Sequence, residues 1–216
     1  MSIEEIDRDT VRGQYDKGRI NDSKVIAYRD ENGIPGKSMT ETFAAMRIFI
    51  DNWRWQNVPF YLRSGKRMAK RITEIAIQFK AVPHLLFEPI VREDIAPNTL
   101  VLRIQPDEGI SLTFQAKHPG AKLCMQTVDM DFDYESSFGT VPPEAYERLL
   151  LDCMVGDQTL FNHKDGVERC WELIVPVLKR WEELPPSTLH LYESGTWGPA
   201  ESEALLEHDG RKWRQP

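Results

Sequence analysis

Five cations lie within nine residues of this sequence, and no acidic residue stands among them. They are Arg63, Lys66, Arg67, Lys70 and Arg71. The whole chain has a formal net charge of -7, so the cluster contrasts with the rest of the molecule. A nucleic-acid-binding protein usually spreads positive charge over a whole face, whereas a compact cluster suits a small anion. The cluster therefore predicts a small anionic ligand and no nucleic-acid partner, with a solvated basic hairpin loop as the alternative.

Two apolar runs flank the cluster and would position it. Residues 58–62 are mostly apolar, and Ile75, Ile77 and Phe79 alternate with polar residues, so both runs predict strands. The basic segment is then the connection between two strands, which would hold its cations in place. Ser64-Gly65 allows a sharp turn, and glycine leaves room for a ligand to approach the main chain.

The remaining patterns predict an α+β fold, a large mostly antiparallel β-sheet with helices packed on one face. Further strands are expected over 42–50, 100–104, 110–114 and 128–134. No helical pattern separates most of these strands, and parallel pairs need long crossovers, so the sheet should be antiparallel. Helices are expected over 145–153, 167–181 and 201–207, with Pro176 inside the second. Residues 1–37 predict a loop-rich segment, and we treat residues 1–216 as a single domain.

The sequence offers no pattern typical of a catalytic centre or a metal site. Five scattered histidines and three cysteines lack ligand or triad spacing, and no glycine-rich nucleotide loop is present. Asp129, Asp131 and Asp133 would share one strand face, where a solvated or interface surface is the better interpretation than a metal site. No apolar run is long enough for a membrane span, and the polar, acidic N-terminus is unlike a signal peptide, so we expect a cytoplasmic protein without a membrane partner.

Seven short segments in order resemble the C-terminal domain of glucose-6-phosphate dehydrogenase, and the likeness covers nearly the whole chain. They are Gly-Gln-Tyr (13–15), Ser-Met-Thr-Glu-Thr-Phe-Ala (38–44), Asn-Trp-Arg-Trp (52–55), Val-Pro-Phe-Tyr-Leu-Arg-Ser-Gly-Lys (58–66), Leu-Arg-Ile-Gln-Pro-Asp-Glu (102–108), Ala-Tyr-Glu-Arg-Leu-Leu-Leu-Asp (145–152) and Gly-Thr-Trp-Gly-Pro (195–199). In that family this region is a large antiparallel sheet with helices on one side. The other face forms the dimer contact, so the resemblance implies a homodimer or homotetramer assembled through the sheet.

The resemblance also implies a reaction, the oxidation of glucose 6-phosphate at C1 with hydride transfer to NADP, which feeds the pentose phosphate pathway. By position, Lys66 and Arg71 become ligands of the sugar phosphate, and Gln105 also reaches the substrate. The family's coenzyme-binding domain and the segment carrying its general base would precede residue 1. The chain is therefore expected to be a fragment with no catalytic residue. NADP is expected to bind mainly to the missing domain, and the fragment alone is expected to be inactive.

Some family members hold a second, structural NADP in this domain. The positions that fit that site are Arg63, Arg103, Asp131 and Trp213. In contrast, Ile72, Ala76, Thr113 and Trp197 stand where those members carry basic residues, which would leave the 2′-phosphate poorly neutralised. Two other hypotheses stay open for the chain as a whole: a regulatory or scaffolding homologue without chemistry, and a stand-alone sugar-phosphate-binding module.

Overall fold

The computed structural model describes residues 1–81, 95–120, 125–139 and 145–216. The chain forms two compact units. The first comprises residues 1–70 and 161–215, and the second comprises residues 71–160 with Pro216. That residues 1–216 act as a single domain stays a prediction.

The described chain contains both helices and strands, mostly in antiparallel pairs, which confirms the α+β class. The helices are α1 (Ile3–Asp9), α2 (Tyr134–Phe138), α3 (Ala145–Val155), α4 (Lys164–Glu183) and α5 (Glu201–Glu207). The strands are β1 (Thr10–Asp16), β2 (Gly18–Ile20), β3 (Ser23–Val25), β4 (Phe43–Phe49), β5 (Pro59–Gly65), β6 (Thr73–Gln78), β7 (Thr99–Gln105), β8 (Gly109–Lys117), β9 (Met125–Asp133) and β10 (Leu189–Glu193). The predicted strands and helices are confirmed where the structure describes them, including the proline inside α4.

The first unit is built on a four-stranded sheet in the order β10-β1-β4-β5. Strands β1 and β10 run parallel, and the other neighbours run antiparallel. The prediction of a loop-rich segment over residues 1–37 is wrong, because this segment supplies α1 and the central strand β1. The reason is that β1 is buried at Gly13 and Tyr15 and also at the polar residues Arg12 and Gln14, so its sequence shows no alternation of polar and apolar residues.

Helices cover both faces of this first sheet. Phe43 and Ala45 of β4 share a buried cluster with Leu205 of α5. Ala44 points to the opposite face, where it packs against a cluster that contains Trp181 of α4. The sequence analysis expected helices on one face only, because local patterns do not show which face of a strand a helix distant in sequence covers.

The second unit contains an antiparallel sheet in the order β6-β7-β8-β9. One row of paired residues crosses it as Ile75, Leu102, Ile110 and Phe132, so this face is apolar. The opposite face is polar and carries the three aspartates of β9. Their partners differ: Asp129 accepts a hydrogen bond from Thr113 Oγ1 at 2.6 Å, Asp131 pairs with Arg103, and Asp133 caps α2.

Two kinds of feature are absent from the described residues. No described helix is long and apolar enough to cross a membrane. Within the same parts of the chain, no group of three or more histidine, cysteine or acidic side chains is arranged to hold a metal ion.

Candidate functional site

The cationic segment begins where β5 ends. Gly65 is the last residue of this strand, and a Cβ atom there would lie 2.8 Å from both the Met68 Sδ and the Phe43 ring. The chain can pass between these two side chains only without a side chain of its own. The next residue, Lys66, is exposed, so its ammonium group leaves a tightly packed strand end directly into solvent.

Four hydrogen bonds fix the main chain of residues 66–69. The Lys66 amide donates to the Thr42 carbonyl at 2.8 Å, and the Tyr192 hydroxyl donates to the Lys66 carbonyl at 2.6 Å. The Gly195 amide donates to the Arg67 carbonyl at 2.8 Å, and the Ala69 amide donates to the Thr196 carbonyl at 2.9 Å. The partners come from the start of β4, from β10 and from the turn after β10. This part of the basic segment is therefore an anchored structure and not a freely solvated loop.

Arg67 differs from its neighbour Lys66. Its backbone has a positive φ of 53°, which is uncommon for a residue with a side chain. Its guanidinium forms an ion pair of 3.5 Å with Glu31, which also accepts a hydrogen bond from the Tyr15 hydroxyl at 2.5 Å. Burial, followed by this bond to Glu31, raises the pKa of Tyr15 to about 12. The charge of Arg67 is thus already matched inside the first unit.

The other two predicted substrate ligands lie in the second unit. Arg71 is exposed and begins this unit. Gln105 ends β7, and its Nε2 donates to Thr73 Oγ1 at 2.9 Å, which orients the amide. Among the described residues, neither Lys66 nor Arg71 forms an ion pair with a carboxylate. That Lys66, Arg71 and Gln105 meet around one ligand stays a prediction.

Two of the four residues suggested for a structural dinucleotide contact each other in the first unit. The Arg63 guanidinium lies 4.6 Å from the Trp213 ring centre and 5.1 Å from that of Trp197. It also donates to the carbonyls of Arg214 at 3.1 Å and Trp197 at 3.5 Å. Arg63 thus holds the C-terminal segment against β5, and a role of Arg63 and Trp213 in binding a structural dinucleotide stays a prediction.

The other two suggested residues form a pair in the second unit. Arg103 Nη1 lies 3.6 Å from Asp131 Oδ1, and its Nη2 donates to the Phe132 carbonyl at 3.3 Å. A Cβ atom on Gly109 would lie 2.4 Å from the same guanidinium, so this arginine is closely packed against β8. Its polar contacts are therefore directed to its own sheet.

Sequence reasoning missed the residues that support Lys66. Tyr192 is only 3% exposed and lies on β10, a strand that is not among those predicted from the sequence. The alternation of Leu189 and Leu191 with His190 and Tyr192 is a signal that could have identified it. Nothing in the sequence indicates that Thr42 and Tyr192 meet at Lys66.

The comparisons with known proteins identify the family. The model of the glucose-6-phosphate dehydrogenase C-terminal domain matches residues 1–214. The chain belongs to this family. Glucose-6-phosphate 1-dehydrogenase 2 of Mycobacterium tuberculosis is 45% identical over 213 residues, which are 99% of this chain and 41% of the relative. The Chlamydia pneumoniae enzyme is 47% identical over 206 residues, which are 94% of this chain and 40% of the relative.

Solved structures of the glucose-6-phosphate dehydrogenase family have the same fold. The Mycobacterium avium enzyme superposes with a TM-score of 0.77 at 35% identity and matches 99% of this chain and 43% of its own. A glucose-6-phosphate dehydrogenase in complex with its substrate glucose 6-phosphate superposes with a TM-score of 0.82 at 32% identity, over 99% of this chain and 44% of its own. This chain therefore corresponds to the C-terminal part of such enzymes and spans about two fifths of their length.

Proposed function

We propose that this chain supplies the sugar-phosphate-binding part of a glucose-6-phosphate dehydrogenase, with Lys66, Arg71 and Gln105 as substrate ligands. The observation that carries the proposal is the geometry at Lys66: an exposed ammonium group on a main chain fixed by hydrogen bonds on both sides of its residue. A relative with 32% identity has been solved with glucose 6-phosphate bound, which supports this ligand over other small anions.

The three side chains suit different parts of such a ligand. Lys66 provides a compact positive charge, and Arg71 provides a planar fork of donors that matches phosphate oxygens. A hydrogen bond between charged groups contributes roughly 1.5–3 kcal/mol, so the two cations would account for most of the phosphate recognition. Gln105 can donate and accept, which suits a sugar hydroxyl.

The proposal extends to the whole enzyme. NADP would be the hydride acceptor, and the chain described here would contribute substrate binding in place of catalytic acid–base chemistry. A cytoplasmic location follows from a phosphorylated intracellular substrate. We also propose that two or four copies of the chain assemble through the β6–β9 sheet, where exposed apolar side chains such as Ile75 and Met130 lie.

Titration of the chain with glucose 6-phosphate, followed by amide NMR shifts, tests the proposal. Shifts should concentrate at residues 65–71, and Lys66→Ala should weaken binding by about tenfold or more, since losing one charged hydrogen bond costs roughly 1.5–3 kcal/mol. Lys37→Ala is the control because Lys37 is also an exposed lysine of the first unit. We expect this variant to bind as the unmodified chain does.

Two outcomes would contradict the proposal. If millimolar glucose 6-phosphate moves no amide signal in the 65–71 segment, the chain is a scaffolding or regulatory homologue that has lost the ligand. If Lys66→Ala and Lys37→Ala weaken binding equally, the chain attracts phosphate only through its general charge. Glucose without phosphate serves as the negative control for both measurements.

A further inference from the structure

We propose that Tyr192 is a positioning residue for Lys66, and this inference rests on the proposed function. Tyr192 lies on β10, far from Lys66 in sequence, and its side chain is buried beneath the strand end from which the lysine emerges. It would act on the ligand only through Lys66, by fixing the main chain from which the ammonium group extends.

Thr42 and Tyr192 together hold both polar groups of the Lys66 main chain. The Thr42 carbonyl accepts from the Lys66 amide at 2.8 Å, and the Lys66 carbonyl accepts from the Tyr192 hydroxyl at 2.6 Å. The Thr42 hydroxyl lies 3.3 Å from the Tyr192 hydroxyl. The Tyr192 hydroxyl also lies 3.3 Å from the Thr42 carbonyl, but the Lys66 carbonyl is the nearer acceptor; with the Tyr192 proton on Lys66, the Thr42 hydroxyl is the donor in the contact between the two hydroxyls. The two residues form one connected chain of donors and acceptors that ends at Lys66.

The Tyr192 ring is itself held in place. Its centre lies 5.5 Å from that of the Phe43 ring, in a tilted arrangement, within the buried cluster of the first sheet. Burial raises the pKa of the Tyr192 hydroxyl, so the hydroxyl remains a donor at neutral pH and well above it. A buried ring with a fixed donor restricts the position of the Lys66 peptide.

The turn after β10 continues this support. Gly195 and Thr196 hydrogen-bond to the main chain at Arg67 and Ala69. The segment Gly-Thr-Trp-Gly-Pro was part of the family resemblance but carried no chemistry of its own. Its position gives it a role, because its main chain bonds to the cationic segment at residues 67 and 69. Tyr192 and this turn thus together hold the main chain of residues 66–69 by hydrogen bonds.

The test removes the hydroxyl and keeps the ring. Tyr192→Phe should weaken binding of glucose 6-phosphate about threefold to tenfold, as expected for the loss of a neutral hydrogen bond. Tyr61→Phe is the matched control because its hydroxyl bonds to Asp209 and not to the cationic segment. It should leave the affinity for glucose 6-phosphate unchanged. Melting temperatures of both variants show how far each is destabilised.

A double-mutant cycle separates positioning from a general structural effect. If Tyr192 acts through Lys66, Tyr192→Phe should cause no further loss of affinity in the Lys66→Ala background. A loss of the same size in both backgrounds, or unchanged affinity in Tyr192→Phe alone, would overturn the inference. If Lys66→Ala itself leaves the affinity unchanged, the proposed function fails, which is a different result.

A measurement on the unmodified chain covers the case in which Tyr192→Phe does not fold. Hydrogen exchange at the Lys66 and Ala69 amides should be slow because both are bonded within an anchored structure. The Gly33 amide lies in a turn where nothing is within 4 Å of a Cβ built on the glycine, and it gives the rate for an unsupported position. Exchange at Lys66 as fast as at Gly33 would show that the Lys66 peptide is not held at Thr42, and positioning of this peptide by Tyr192 would fail with it.

Discussion

Replacing Asp209 by Asn should destabilise the first unit in a way that depends on pH. Asp209 follows α5, and its carboxylate accepts hydrogen bonds from the Tyr61 hydroxyl and, at 2.9 Å, from Arg47 Nη1. The other side of the same guanidinium binds Asp9 at 2.6 Å. The Arg47 side chain is 10% exposed and that of Asp9 is 3% exposed. The network joins α1, β4, β5 and the segment after α5.

The magnitude follows from the pKa of Asp209. The Tyr61 hydrogen bond, assisted by Arg47, lowers this pKa from 3.8 to about 2. One unit of pKa difference between the unfolded and folded states corresponds to about 1.4 kcal/mol, so the upper bound is roughly 2.5 kcal/mol. Because the Asp209 side chain is 27% exposed, solvent screening reduces this bound. We expect Asp209→Asn to cost about 1–2 kcal/mol at pH 7.

The stabilisation by Asp209 should decrease as the pH falls, because the pKa of Asp209 is lower in the folded chain than in the unfolded chain. The contribution of Asp209 is fully present above the unfolded pKa near 4, and it is lost as the pH falls toward the folded pKa of about 2. At pH 3 about half of it should remain. The free-energy difference between the unmodified chain and Asp209→Asn should therefore shrink between pH 5 and pH 3.

Urea unfolding at a series of pH values measures this difference. Glu207→Gln is the control, since it removes an exposed charge two residues away and should change stability by less than about 0.5 kcal/mol at every pH. A difference for Asp209→Asn that stays constant from pH 7 to pH 3 would refute the reasoning. In that case the cost of the substitution would come from packing and not from the carboxylate charge.

Two further predictions concern the turn after β10 and assembly. Gly195→Ala should lower the free energy of unfolding by more than about 2 kcal/mol, because φ is 90° and the new Cβ would lie 1.9 Å from the Arg19 carbonyl oxygen. Gly210→Ala, with φ of 65° and open space around the new Cβ, should lower it by only about 1 kcal/mol. Equal losses of stability in thermal unfolding would contradict this account. Light scattering should give a mass of two or four times 25.0 kDa. Asp129→Lys and Met130→Lys place a charge on opposite faces of β9. The variant that lowers the measured mass identifies the face through which the copies contact each other. An unchanged mass in both variants would contradict assembly through this sheet.

Much of the fold could be predicted where one face of a strand meets solvent. The alternation over β7, β8 and β9 identified all three strands, since their polar and apolar residues separate onto two faces. Strand β1 could not be identified in this way. Its buried Arg12 bonds to Glu41 and Thr188, and its buried Gln14 bonds to the main chain at residues 38 and 40. Such partners cannot be read from local sequence.

The candidate site was predictable to a similar extent. Charge density and the Ser64-Gly65 pair were enough to indicate the basic segment as a whole, because both signals are local, whereas Lys66 was assigned within it only through the family resemblance. Its support was not predictable, because Tyr192 stands 126 residues from Lys66 and reaches it only through the parallel pairing of β10 with β1. A parallel neighbour leaves no hairpin signal in the sequence. The residues that could carry chemistry were therefore visible in the sequence, whereas those that position them were not.

This arrangement explains why the anchoring contacts are made to the main chain at Lys66. An ammonium group that must remain available for a phosphate cannot also be held by a protein carboxylate, because that pair would compete with the ligand. Fixing the peptide through Thr42 and Tyr192 positions the side chain and leaves its charge unmatched. Arg67 shows the contrast, since its guanidinium is paired with Glu31. Under the proposed function the two neighbouring cations have different roles, with Arg67 in the structure of the segment and Lys66 as a proposed ligand of the phosphate.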